Sequence, residues 1–314
     1  MIVSRFAPAP TGLLHLGHVV NALHVWGITR AAAGHVILRI EDHDRQRSRA
    51  EYEQAILDDL DWLGFVPDEP TTAEFRSGVC RGRQRDRQDV YEHVREQLAS
   101  QGLLFTCDCT RRDLRAAMGV EGADGADAEL RYSGRCAGRD LDWKDGRAMR
   151  VRLSPSIERF VDLRHGAQEQ RPFEQCGDML VKDRDGNWSY QFAVTVDDME
   201  QGVNLVIRGD DLLSSTGRQI QLARMLGRIE PPRFLHHGLI MKSATQKLSK
   251  ADRDTSVSDL RAAGVSIEQV IGRAMRAAGL AVSDAPMARA AAEAVVADAY
   301  GDAVRQLTRP SKLA

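Results

Sequence analysis

Apolar residues along the first 64 positions change period in a regular way. MIVSRF (1–6) is a short apolar run whose alternation is too brief to show which face is buried. After the proline-bearing turn APAPTG, the segment LGHVVNALHVWGITRAAAG places Leu16, Val19, Val20, Leu23, Trp26 and Ala31 at helical spacing, and Gly34 is the expected stop. HVILRIED is a β-branched run ending in acids, as a buried parallel strand does when it runs out into a site. RAEYEQAILDDLDWLG is again amphipathic and helical, closed by Gly64. Strand, helix, strand and helix in this order predict a βαβ unit and an α/β fold with a doubly wound parallel sheet.

The pattern shifts further along. A polar helix is expected from Arg81 to Gly102, starting near RGRQRDR. Residues 103–190 hold short strands such as AMRVRL and DMLVKD and a Gly/Ala/Asp-rich loop, and read as an α+β subdomain inserted between two halves of the sheet. The expected division is therefore 1–102 for the first half of the catalytic domain, 103–190 for the insertion, 191–240 for the second half and 241–314 for a loop and a short helical region.

Composition narrows the class. The 314 residues are 43% hydrophobic and 28% charged with a net charge of −2, which excludes a uniformly basic nucleic-acid coat but not a local basic surface. No apolar run approaches a membrane span and the first residues lack a signal-peptide pattern, so a cytoplasmic protein with no membrane partner is expected. Three of the five cysteines, Cys107, Cys109 and Cys136, cluster in sequence, which in a reducing compartment points to a metal site or to free buried thiols rather than disulfides. A dehydrogenase is disfavoured, since no Gly-x-Gly-x-x-Gly follows the first strand.

Two short motifs carry candidate chemistry. His15 and His18 in HLGH, at a helix start with Gly17 between them, could donate to a triphosphate where the helix dipole is positive; they could equally be an ordinary helix start. Lys247 and Lys250 in QKLSKAD could reach a leaving pyrophosphate, or be a solvated pair. In RGRQRDR, Arg81, Arg83, Arg85 and Arg87 could meet tRNA phosphates or pair internally with acids, the second being the simpler reading for any one of them.

Taken in order, HLGH, the RIED strand and KLSKA resemble the HIGH and KMSKS signatures of class I aminoacyl-tRNA synthetases. RFAPAPTGLLHLGH, ILRIEDHDRQRS, AILDDLDWLG and VIRGDDLLSSTGRQIQL are similar to the glutamyl subgroup of that class, over roughly Val3 to Asp252. The resemblance implies ATP- and Mg2+-dependent activation of L-glutamate, with a Rossmann-like catalytic domain. It implies that Arg5 and Arg208 hold glutamate carboxylates, Glu41 attracts the ammonium, and Ala7, Ala9 and Tyr190 line the pocket. ATP would fall to His15, Gly17, His18 and Lys250, with Lys247 assisting. A charge-assisted hydrogen bond is worth roughly 1.5–3 kcal/mol, so two arginines suffice to favour glutamate over glutamine. Two departures stand out: Ala9 replaces a serine common in the family, and Ala251 replaces the last serine of KMSKS.

The chain ends at Ala314, soon after Lys250, where the glutamyl enzymes continue into an anticodon-reading region. It therefore resembles their truncated paralogues, which glutamylate queuosine in the anticodon loop of tRNA(Asp); the expected partners are ATP, L-glutamate and that tRNA, and the expected state is a monomer. A minimal enzyme charging tRNA(Glu), or a non-catalytic tRNA-binding relic, are the alternatives. The paralogue resemblance also implies one structural Zn2+ held by Cys107, Cys109, Tyr132 and Cys136, Tyr132 being an unusual ligand.

Overall fold

The computed structural model describes residues 1–119, 130–240 and 255–308. β1 (Val3–Phe6), α1 (Leu16–Ala31) and β2 (His35–Leu38) form the expected βαβ unit, the strands parallel with Val3 opposite His35. α1 ends earlier than Gly34: Ala33 takes the left-handed conformation (φ 51°), and the N–H groups of Ala33 and Gly34 return to the carbonyls of Arg30 and Thr29. This double hydrogen bond is a Schellman closure with alanine in the turn position. α2 (Ala50–Leu63) does close on Gly64, at φ 76°. A short α3 (Thr72–Arg76) follows, and the polar helix expected from Arg81 begins as a 3₁₀ turn at Gln84–Arg87 before continuing as α4 (Gln88–Ser100).

Next come β3 (Leu104–Cys107), α5 (Arg111–Met118), β4 (Ala148–Val151), β5 (Glu158–Asp162), β6 (Gly166–Gln170), α6 (Pro172–Cys176), β7 (Met179–Lys182), α7 (Tyr190–Glu200), β8 (Leu205–Gly209), α8 (Thr216–Met225) and β9 (Arg233–His237). β3, β4 and β7 make a three-stranded antiparallel sheet, with β4 central. β5 and β6 do not belong to it. β5 pairs with β9 in parallel, and β9 with β8, while β6 closes the edge antiparallel to β5. Residues 103–190, expected as one inserted unit, are thus shared between two sheets. β5 has the alternating burial of a half-buried strand, but nothing local to it shows that its partner lies seventy residues later.

Asn204 joins the two halves of the main sheet: its side-chain oxygen accepts from the Val3 N–H at 2.9 Å and its N–H donates to the Val3 carbonyl at 3.0 Å. This sets the two-stranded sheet β2, β1 beside the four-stranded sheet β8, β9, β5, β6, with β1 next to β8 though the two are not a paired ladder, and the direction of growth reverses between them. Ligands of doubly wound sheets bind at the carboxyl ends of the strands flanking such a reversal. A second tie is Asp197 on α7, fully buried, which accepts from Gln84, Arg87 and the Tyr91 hydroxyl at 2.7–3.0 Å and so pins α4 to α7.

The last helices, α9 (Val257–Ala262), α10 (Ile267–Ala277), α11 (Arg289–Ala299) and α12 (Gly301–Thr308), are integral rather than appended. Val270, Ile271, Ala274, Met275, Ala292 and Val296 share one core with Val19, Leu23 and Trp26 of α1. The α1–α11 crossing is close: a Cβ on Gly27 would lie 2.8 Å from the Glu293 carbonyl oxygen, so only glycine fits. Among the described residues no helix is long and apolar enough to cross a membrane.

On the same side of α1, His24 is buried, donates Nδ1–H to the Val20 carbonyl at 2.8 Å and stacks on His237 at 4.5 Å. Burial, followed by the neighbouring His237, pushes its pKa from 6.5 down to about 3. A histidine kept neutral in the fold but free to ionise when unfolded stabilises the native state above pH 6.5 and loses that contribution as the pH falls towards 3. The unfolding free energy should therefore drop by roughly 1.4 kcal/mol per pH unit on account of His24 alone below that point. Urea titrations at stepped pH should show a shallower slope for His24→Gln.

Candidate active site

Arg5 on β1, Glu41 just beyond β2, Tyr190 at the start of α7 and Arg208 on β8 converge at the reversal point, as their strand positions require. All four carry mutual electrostatic influence: Glu41, Arg208 and Arg5 each act on the Tyr190 hydroxyl, which burial, the largest cause, pushes up to about 12. Ala7 and Ala9 lie in the loop leaving β1, held against the end of β2 by the Glu41 N–H on the Pro8 carbonyl at 3.1 Å and the Arg39 N–H on the Phe6 carbonyl at 3.0 Å.

The residue that organises this group was not singled out from the sequence. Asp198 on α7 accepts from Arg5 Nε at 3.1 Å and from Arg39 Nη1 at 2.8 Å; Arg39 in turn donates Nη2–H to Glu41 at 3.2 Å. Burial works against the Arg39 charge, but Asp198 and Glu41 more than offset it and raise its pKa. For Asp198 itself burial is again opposed, and Arg5 and Arg39 hold its pKa below the usual carboxylate range. Burial dominates at Glu41 and raises its pKa despite Arg39.

The two expected carboxylate binders differ in how committed they are. Arg5 donates to Asp198 and, through Nη1, to the Ile207 carbonyl, and among the described residues its Nη2 has no protein acceptor. Arg208 donates Nε–H to His236, Nη1–H to Gln219, and Nη2–H to the Leu212 carbonyl and Thr216 hydroxyl. A guanidinium has five N–H groups, so among the described residues Arg208 has one N–H without a protein acceptor and Arg5 has three.

At the head of α1 the histidines serve the helix. His15 is the N-cap, and its Nδ1 accepts from the Gly17 N–H at 3.0 Å; His18 Nδ1 accepts from the His15 N–H at 3.1 Å. The rings lie 4.0 Å apart. Because both Nδ1 atoms accept, each neutral ring must carry its proton on Nε2, which makes both side chains Nε2–H donors of fixed tautomer. Gly17 has a local reason to be glycine: an added Cβ would come within 2.8 Å of His15 Cε1, so glycine leaves room for the capping ring itself. Lys247 and Lys250 lie outside the described residues. Their segment is bounded by buried Ile240 and by Ser256–Val257, where Val257 N–H bonds to the Leu14 carbonyl at 2.8 Å and Ser256 bridges to His15. The described chain thus resumes directly against the histidine motif.

The cysteine cluster assembles beyond β3. The sulfurs of Cys107, Cys109 and Cys136 all lie within 4.8 Å of one another, Cys109 and Cys136 at 3.6 Å. Three thiolates around a tetrahedral Zn2+ at 2.3 Å would stand about 3.8 Å apart, so the donor set fits a metal ion. Tyr132 borders the cluster, its hydroxyl oxygen accepting from the Cys136 N–H at 2.7 Å and its ring lying 4.1 Å beneath the Arg150 guanidinium. Burial alone would raise the Cys107 thiol, but the Cys109 N–H and Arg150 lower it; burial and Cys107 push the Cys109 thiol up.

With this geometry established, likeness to known proteins is informative. Residues 1–293 match the family model of class I tRNA synthetases (E and Q), catalytic domain. The chain belongs to that family. A glutamyl-Q tRNA(Asp) synthetase of Rhodobacter capsulatus is 36% identical over 289 residues, covering 86% of this chain and 100% of the relative. The corresponding Bordetella bronchiseptica protein is 41% identical over 249 residues, covering 79% and 74%. The crystal structure of a glutamate-tRNA synthetase from Elizabethkingia anophelis superposes with a TM-score of 0.73 at 26% identity, over 93% of this chain and 65% of that one.

Seen as a synthetase, the enzyme keeps the RGRQRDR arginines mostly for itself. Arg83 pairs with Glu53, Arg85 with Asp42, Arg87 with Asp197 and Arg81 with Asp89. Substituting Gly17 with alanine should favour the helix by about 1 kcal/mol through propensity and cost about 1 kcal/mol through the disturbed cap. Stability measured by urea unfolding should therefore change little, while ATP–pyrophosphate exchange should fall at least tenfold because the His15 donor is displaced.

Proposed function

We propose that this enzyme activates L-glutamate with ATP and transfers the glutamyl group to queuosine in the anticodon loop of tRNA(Asp), acting as a cytoplasmic monomer. The observation that carries the amino-acid assignment is the charge count of the pocket. With Asp197 matched by Arg87, the charges of Arg5, Arg39 and Arg208 against Glu41 and Asp198 leave one net positive charge, the complement of glutamate with its two carboxylates and one ammonium. The open edge of Arg5 suits a two-point grip on one carboxylate, Arg208 gives a single bond to the other, and Glu41 takes the ammonium.

Activation needs no side-chain nucleophile. An oxygen of the glutamate α-carboxylate attacks the α-phosphorus of ATP, the bond to pyrophosphate breaks, and glutamyl-adenylate remains. The Nε2–H donors of His15 and His18 follow charge onto the phosphates, and Lys247 and Lys250 neutralise the departing pyrophosphate. Mg2+ accompanies the nucleotide and offsets phosphate charge. The acceptor assignment is supported by the glutamyl-Q tRNA(Asp) synthetases to which the chain aligns over most of its length. Cys107, Cys109 and Cys136, with Tyr132 offering its remaining lone pair as a fourth ligand, would hold one structural Zn2+.

Labelled glutamate should transfer, with ATP and Mg2+, to tRNA(Asp) bearing queuosine, and neither to the same tRNA lacking it nor to tRNA(Glu). Label on tRNA(Glu) instead would replace the acceptor reading with that of a minimal charging enzyme. Purified protein should contain about one zinc per chain by elemental analysis, and Cys136→Ser should lower that content while leaving glutamate binding measurable; wild-type protein free of zinc after metal-replete expression would remove the zinc reading.

A further inference from the structure

Arg208 is held by a chain of side chains that crosses three neighbouring strands. Its strand partner on β9 is His236, and Phe234, two residues earlier on β9, pairs with Asp162 on β5. His236 Nε2 lies 2.9 Å from Arg208 Nε, and His236 Nδ1 lies 2.7 Å from Asp162 Oδ2. The same Oδ2 accepts the His236 backbone N–H at 3.1 Å, while Oδ1 accepts those of Arg164 and His165 at 3.0 and 2.9 Å. His236 and Asp162 are 0% and 1% exposed, so water cannot substitute for any of these partners.

The donor and acceptor inventory admits one protonation pattern. Arginine only donates, so His236 must present a lone pair at Nε2. Its proton then sits on Nδ1 and needs an acceptor, which is Asp162. A doubly protonated ring would bring N–H against N–H at Arg208. Burial, the largest influence, also keeps the ring neutral, lowering the His236 pKa in spite of Asp162.

We propose that His236, locked in its Nδ1–H tautomer by Asp162, is a positioning residue that fixes the Arg208 guanidinium and thereby the selection of glutamate over its neutral amide. This rests on the reading of Arg208 as a glutamate ligand. Arg208 has one N–H to offer, so its contribution depends on the direction of that single bond; Nε held by His236, with Gln219, Leu212 and Thr216 on the terminal nitrogens, leaves the guanidinium no other orientation.

Asp162→Asn tests the chain with little change of shape. The asparagine oxygen can keep the two loop N–H groups, while its amide gives up the bond from the His236 backbone N–H and donates towards the His236 ring, moving the ring proton to Nε2 and setting it against Arg208. Imidazole 15N NMR of the full-length wild type should report the Nδ1–H tautomer at His236, and the variant the reverse. Calorimetric titration should show L-glutamate binding at least tenfold weaker, discrimination against glutamine reduced, and ATP binding within about twofold of wild type, as expected for loss of one charge-assisted bond. His236→Gln, whose side-chain oxygen can accept from Arg208, should retain more glutamate affinity than His236→Leu, which keeps the inference testable if Asp162→Asn fails to fold. An Nε2–H tautomer in the wild type, an inverted tautomer with unchanged glutamate binding, or equal losses in the two His236 variants would overturn it. Arg208→Gln separates the two levels: if it too leaves glutamate binding intact, the fault lies with the pocket assignment and not with the positioning chain.

Discussion

Burying a guanidinium without a counter-charge costs several kcal/mol, and this enzyme buries Arg5, Arg39 and Arg208 around one small pocket. Asp198 meets that constraint for two of them at once. Its Oδ1 receives both Arg5 and Arg39, and Arg39 passes the connection on to Glu41. Since Arg5 comes from β1, Arg39 and Glu41 from the end of β2 and Asp198 from α7, the same carboxylate that makes the charges tolerable also locks the relative placement of three elements. Charge cluster and fold are stabilised by one interaction, so the arrangement of these groups is fixed by the fold itself.

Arg208 is handled by a different device, neutral acceptors instead of a carboxylate. His236, Gln219, Thr216 and a backbone carbonyl spread its hydrogen bonds without cancelling its charge. The contrast leaves the pocket with a net positive charge instead of a closed set of ion pairs. A similar economy operates at the head of α1. The His15 and His18 rings satisfy helix-end N–H groups, which would otherwise need a serine or aspartate cap, and this fixes their tautomer with the proton on Nε2.

The antiparallel sheet of β3, β4 and β7 carries the cysteine cluster, and the Asp197 hub ties α4 and the turn before it to α7. Asp197 and Asp198 are neighbours on α7 and share Arg39: Asp197 anchors Gln84, Arg87 and Tyr91 and lies 3.8 Å from Arg39 Nε, while Asp198 anchors Arg5 and Arg39. α7 begins at Tyr190, which faces the pocket, so a displacement of this helix would be felt at both sites.

Much of this enzyme was legible in its sequence wherever the deciding interactions are local. The period change from MIVSRF to LGHVVNALHVW, the left-handed closure at Gly64, the HLGH and Cys-x-Cys spacings and the resemblance they carry all lie within a few residues of chain, where propensity and capping act. The fate of residues 158–170, the joining of β1 to β8 by Asn204 and the burial of α11 against α1 could not be read, because strand and helix partners are chosen by long-range packing. Asp198 looked like one acid among several in VDDME, and Asp162 and His236 carried no motif at all. Their meaning comes from distance: Asp198 reaches Arg5 across 193 positions and His236 reaches Asp162 across 74. Sequence determined which chemical groups the site could use; only the tertiary structure decided which of them are held, by what, and with how many hydrogen bonds left to give, because burial creates those constraints and burial is a property of the folded whole.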